Sequence, residues 1–135
     1  MRGESPIARL AEDPAAREKL GITADQAAKI RQQTSEFRKA GIRGRADLQV
    51  NRLELQDLLR GDSPDRGAID KKLDEMSAAR LAQAKAQVHY RLAMRDILTP
   101  EQRQKLQQMR AESRRRGFSD GAPRGPRERK ASPNP

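Results

Sequence analysis

Apolar residues recur along most of this chain at intervals of three, four and seven, the spacing of one face of an α-helix. One register reads Ile30, Phe37, Gly41, Gly44, Leu48, Leu55 and Leu58. Another reads Ile69, Leu73, Met76, Leu81, Ala84, Val88, Leu92 and Ile97. No run alternates β-branched and polar residues as a half-buried strand does. The pattern predicts long helices over about 24–60 and 64–98, then a helix over about 100–115 that uses Leu106 and Met109. At 1.5 Å per residue each long helix spans roughly 50–55 Å. Similar lengths and a tight turn favour an antiparallel hairpin. The expected class is all-α and elongated.

Local signals mark where the helices start and stop. Ser5-Pro6 and Asp13-Pro14 pair an N-cap residue with Pro at the first helical position. They divide residues 1–21 into short helical pieces, and Gly21 suits a left-handed C-terminal cap. Thr23-Ala24-Asp25-Gln26 is a capping box, in which the Thr hydroxyl accepts the Gln amide and the Gln side chain reaches back. Thr99-Pro100-Glu101-Gln102 repeats it. Gly61-Asp62-Ser63-Pro64 separates the long helices, with Gly61 as cap and Ser63 as N-cap. The expected organisation is a short N-terminal segment 1–21, a helical domain 22–116 and a disordered basic tail 117–135. Gly41 and Gly44 lie on the apolar register, each costing up to about 1 kcal/mol against Ala. They read as close packing, a gentle bend or a hinge.

Composition thins the core this pattern can build. Only 34% of residues are hydrophobic, with two Phe, one Tyr and no Trp. A chain of 135 residues so poor in aromatics suits an elongated shape or an oligomer that completes its core. Ile42, Val50 and Leu53 fall off the main register and form a second stripe, facing either a second copy or a bound client.

Charge adds a second theme. The net charge is +10, with seven bases against Glu36 and Asp47 between Lys29 and Arg52. Within this stretch Phe37, Arg38, Lys39, Ile42, Arg43 and Arg45 mix bases with apolar groups and contain no acid. Such a surface can steer and loosely hold a flexible chain; it also reads as a dimer face or a solvated helix face. Arg114-Arg115-Arg116 and the tail raise nucleic acid as a rival partner, but stacking residues are nearly absent and no recognition motif appears.

Candidate chemistry is sparse. The chain has no cysteine, so thiolate ligands and disulfides are excluded. His89 is its one histidine, a lone candidate metal ligand where a borderline metal needs several N or S donors. No nucleophile–base layout, phosphate loop or paired-acid signature is present, so no enzyme and no cofactor are expected. No apolar run approaches the length of a membrane span, and no secretory leader is visible.

The two boxes carry a likeness. Ile22-Thr23-Ala24-Asp25-Gln26 and Leu98-Thr99-Pro100-Glu101-Gln102 flank the hairpin, each with an aliphatic residue before the Thr. Over about residues 14–116 this resembles the LTxxQ-motif family of bacterial envelope proteins, which includes Spy and CpxP chaperones, ZraP and CnrX-type heavy-metal sensors. The resemblance implies a periplasmic homodimer of cradle-like shape, acting as an ATP-independent chaperone or envelope-stress accessory. Its partners would be unfolded or partly folded envelope proteins, or a sensor or regulator domain. The alternative it carries is a heavy-metal sensor.

Overall fold

The computed structural model describes residues 5–119. Their elements are α1 (Pro6–Glu12), α2 (Pro14–Leu20), α3 (Ala24–Leu59), α4 (Arg66–Ile97) and α5 (Pro100–Ser119), with no strand among the described residues. The fold is all-α. α3 and α4 pack against each other as the predicted hairpin, α1 packs on α2 and α3, and α2 touches α5.

The caps explain most boundaries. Ser5 accepts from the Ile7 amide at 3.2 Å and Asp13 from the Ala15 amide at 3.1 Å. Gly21 takes the left-handed conformation, φ 66°, which lets the chain leave α2 and enter α3 within three residues. The hairpin turn differs from expectation. Gly61 has no positive φ; α3 closes at Arg60, whose amide donates to the Asp57 carbonyl. The N-cap of α4 is Asp65 rather than Ser63, because its carboxylate accepts from the Ala68 amide at 3.2 Å. α5 continues past 115 to Ser119, and the remainder of the expected tail 117–135 lies outside the described residues.

The hairpin seam follows a strict seven-residue repeat. On α3, Ile30, Phe37, Gly44, Asn51 and Leu58 alternate with Ala27, Thr34, Gly41, Leu48 and Leu55, all buried or half-buried. On α4, Ile69, Met76, Gln83, Tyr90 and Ile97 alternate with Lys72, Ala79, Ala86 and Ala93. This is the register of an antiparallel coiled coil. It corrects the expected register of α4. Ile69, Met76 and Ile97 face inward, whereas Leu73, Leu81, Ala84, Val88 and Leu92 are exposed.

Two contacts set this phase. Tyr90 stacks on Phe37 with ring centroids 4.3 Å apart, and its hydroxyl meets the Thr34 hydroxyl at 2.9 Å. Half-way along, an added Cβ on Gly44 would come within 2.6 Å of the Gln83 side-chain nitrogen, so Gln83 occupies the space a larger residue would need. This middle stretch of the seam is therefore filled by small and polar groups, and Leu73, Leu81, Val88 and Leu92 are left outside.

The main core lies at the open end of the hairpin. There Ile7, Ala8, Ala11, Leu20, Ile22, Ala27, Ile30, Tyr90, Met94, Leu98 and Leu106 form one buried cluster. Towards the turn only Leu48 and Met76 are buried apolar side chains. Lys72 compensates there: its ammonium reaches Glu54 at 2.6 Å, Glu75 at 2.8 Å and Asn51 at 3.4 Å.

Candidate functional site

The two capping boxes meet. Within each, the Thr hydroxyl accepts the Gln amide (3.1 Å for Thr23 and 3.2 Å for Thr99). The Gln side-chain oxygen accepts the Thr amide in return, at 3.0 Å for Gln26 and 2.9 Å for Gln102. The glutamines then join each other. Gln26 Nε2 donates to Gln102 Oε1 at 2.8 Å, and Gln102 Nε2 donates to Gln26 Oε1 at 3.0 Å. Each donates its other proton to the carbonyl two residues before the opposite Thr, Gln26 to Ile97 at 2.9 Å and Gln102 to Gly21 at 2.7 Å.

The clasp is thus nearly two-fold symmetric and uses two donors and two bonds at the acceptor of each amide. Apolar residues repeat the symmetry. Ile22 and Leu98 precede the threonines, Ile30 and Leu106 follow them by seven, and all four are buried. The repeated motif therefore clasps the open end of the hairpin. Its chemistry is positioning: it fixes the starts of α3 and α5 against each other and so aims the hairpin.

The basic segment lies outside that core. Arg38, Lys39, Ile42, Arg43 and Arg45 are exposed on α3, with Ile42 at 61%. Phe37 is turned the other way, half-buried, with one face of its ring stacked on Tyr90. Val50 and Leu53 are exposed further along α3, and Leu73, Leu81, Val88 and Leu92 along α4. The largest aliphatics of α4 predict the opposite face. The signal for the inward face is the seven-residue series 69, 76, 83, 90, 97.

Charge divides the hairpin by position. Residues 76–95 hold Arg80, Lys85, Arg91 and Arg95 with no acid, and 29–46 hold six bases against Glu36. The turn half, 47–75, holds eight acids against five bases. The hairpin is therefore a rod with a basic half and an acidic tip.

A metal finds little here. His89 is exposed on α4, and no group of three or more His, Asp or Glu residues able to hold an ion occurs among the described residues. Met76 and Met94 are buried in the seam and core. The donor set of the described chain does not fit a borderline metal, which needs converging N or S ligands. No described helix is long and apolar enough to cross a membrane.

A family model described as heavy-metal resistance matches residues 2–105. No curated protein and no solved structure matches the chain at a significant level.

Proposed function

The chain belongs to the heavy-metal resistance family, part of the LTxxQ, Spy and CpxP-like group of helical proteins, and from that premise we propose that it works in the periplasm by binding other proteins, as an ATP-independent chaperone or an envelope-stress accessory. One observation carries this reading. Ile42, Val50, Leu53, Leu81, Val88 and Leu92 stand exposed on a hairpin whose seam is packed with small and polar residues along its middle. Large aliphatics left in water beside Lys39, Arg43 and Arg45 suit reversible capture of a flexible chain. Charge speeds encounter, and scattered apolar contacts hold without locking. A second copy of the chain, paired through part of this surface, would widen the hairpin into a cradle.

The test is aggregation of a chemically denatured, unrelated protein diluted into buffer without ATP. The full chain delays light scattering at modest molar excess, and Ile42→Ser with Leu53→Ser shortens the delay. Failure to delay aggregation, together with no binding to any sensor or regulator domain, would sink the proposal. A metal-sensing role is the family's other reading. The donor set argues against it, and strong heat on titration with zinc, nickel or copper would restore it.

A further inference from the structure

The outward face of α4 carries more than its share of the client-binding reading. Leu81, Lys85, Val88, Leu92 and Arg95 follow one another at intervals of four, three, four and three, which places them on a single stripe of the helix. All five are exposed, with Leu81 at 57%, Val88 at 53% and Leu92 at 49%. Arg91 is exposed on one side of them and Asp96 on the other, and no acid occurs between Met76 and Arg95. Lys85, Arg91 and Arg95 enter no ion pair among the described residues. This is a basic amphipathic stripe about 20 Å long at 1.5 Å per residue.

We infer that this stripe docks on an acidic phospholipid surface, with the bases on headgroup phosphates and Leu81, Val88 and Leu92 at the acyl boundary. Peripheral helices of this composition lie in the plane of the interface. The acidic tip supports the geometry. Residues 47–75 carry a net negative charge, so an anionic surface attracts the basic half and repels the turn. Other occupants fit less well. Two copies apposed along this stripe would set three bases against three, with only Asp96 at the rim of each to oppose them. A single-stranded nucleic acid would want exposed aromatics, and Tyr90 is buried against Phe37. An inserted peptide would want a groove, and side chains half exposed on a convex helix do not line one. The inference does not rest on the client-binding reading, since client capture is measured without lipid.

The experiment is cosedimentation of the full chain with vesicles of phosphatidylcholine alone, or of phosphatidylcholine with phosphatidylglycerol. Binding is expected to the second kind only, and to weaken as salt shortens the screening length. Each base is worth about fivefold in partition, so Lys85→Glu with Arg95→Glu should lower binding by about thirtyfold or more. Leu81→Ser with Val88→Ser should abolish the part that survives added salt. Lys85→Gln with Arg95→Gln is the milder pair, and circular dichroism checks helicity in each. The inference is overturned by equal binding to both vesicles or to neither. It is also overturned by full binding of the Leu81→Ser/Val88→Ser protein. Tight binding to a DNA duplex without vesicle binding would assign the stripe to nucleic acid. Loss of a dimer in the same variants, seen by sedimentation equilibrium, would assign it to a second copy.

Discussion

At the scale of single residues, the glutamines and the two seam glycines carry sharp expectations. Gln26 and Gln102 each donate to one backbone carbonyl of the opposite segment and to the other's side-chain oxygen. Truncating Gln102, which is buried, leaves the Gly21 carbonyl and the Thr99 amide without these partners, and such orphaned groups cost about 1–3 kcal/mol. Gln102→Ala should therefore destabilise more than Thr99→Ala, whose lost cap is worth about 0.5–2 kcal/mol. Denaturant melts of Gln26→Ala, Gln102→Ala and the double variant should show a coupling of about 0.5–3 kcal/mol, as expected of side chains in direct contact. Additive single effects would contradict the clasp. The glycines divide differently. A Cβ on Gly41 meets only the end of Arg45 at 3.5 Å, an ordinary contact. Gly41→Ala should gain up to about 1 kcal/mol of helix propensity. A Cβ on Gly44 meets Gln83 at 2.6 Å at its tip and 3.3 Å along its stem, so Gly44→Ala must displace Gln83 and should fall well short of that gain. Equal melting temperatures for the two variants would remove the close-packing explanation of Gly44.

At the scale of elements, the sequence disclosed starts and stops better than faces. Both capping boxes, the Pro-led starts of α1 and α2, and the left-handed Gly21 were readable because each depends on neighbours a few residues away. The inward face of α3 was readable too, since Ile30, Phe37, Leu48 and Leu55 fall on one heptad register. The face of α4 was not. Its large aliphatics and its seam residues occupy different registers, and the choice between them is made by α3: Phe37 needs Tyr90, and Gly44 admits Gln83. The reciprocity of Gln26 and Gln102 was hidden for the same reason, because it joins residues that only the hairpin brings together. Lys72 shows the seam's dependence on charge near the turn. Hydrogen bonds to Glu54 and Glu75 hold its ammonium pKa above the ordinary value, and the bond from Lys72 holds the Glu75 carboxyl below the ordinary carboxylate range. The Glu75 contribution is present above the ordinary carboxylate pKa and is lost as pH falls through its lowered folded value. The Lys72 contribution is present below the ordinary lysine pKa and is lost as pH rises through its raised folded value. Lys72→Met should thus separate from the parent in melting temperature at neutral pH and converge with it in strong acid. A gap that persists unchanged in strong acid would show that the ion pairs add nothing there.

At the scale of the whole molecule, apolar burial and charge are both unevenly distributed along the rod. The buried cluster joins α1, α2, α3, α4 and α5 at the open end, where the clasp also sits. Beyond Phe37 and Tyr90 the seam thins to Gly41, Gly44, Ala79, Gln83 and Ala86, and it closes near the turn on Leu48, Met76 and the Lys72 cluster. Local opening is cheapest where few apolar contacts oppose it. Amide hydrogen exchange should therefore be slowest in 26–37 and 90–106, faster across the turn half, and fastest in α5 beyond Met109, where every residue of 110–117 is exposed. The gradient bears on binding. A hairpin anchored at one end can bend its exposed aliphatics towards an irregular client while the clasp keeps the helix starts in place. If that coupling holds, a bound client should slow exchange in 41–55 and 79–92 and leave the clasp amides unchanged. Protection that rises first at Thr23 and Thr99 would mean instead that capture happens at the clasp, and that the exposed faces of α3 and α4 serve another partner.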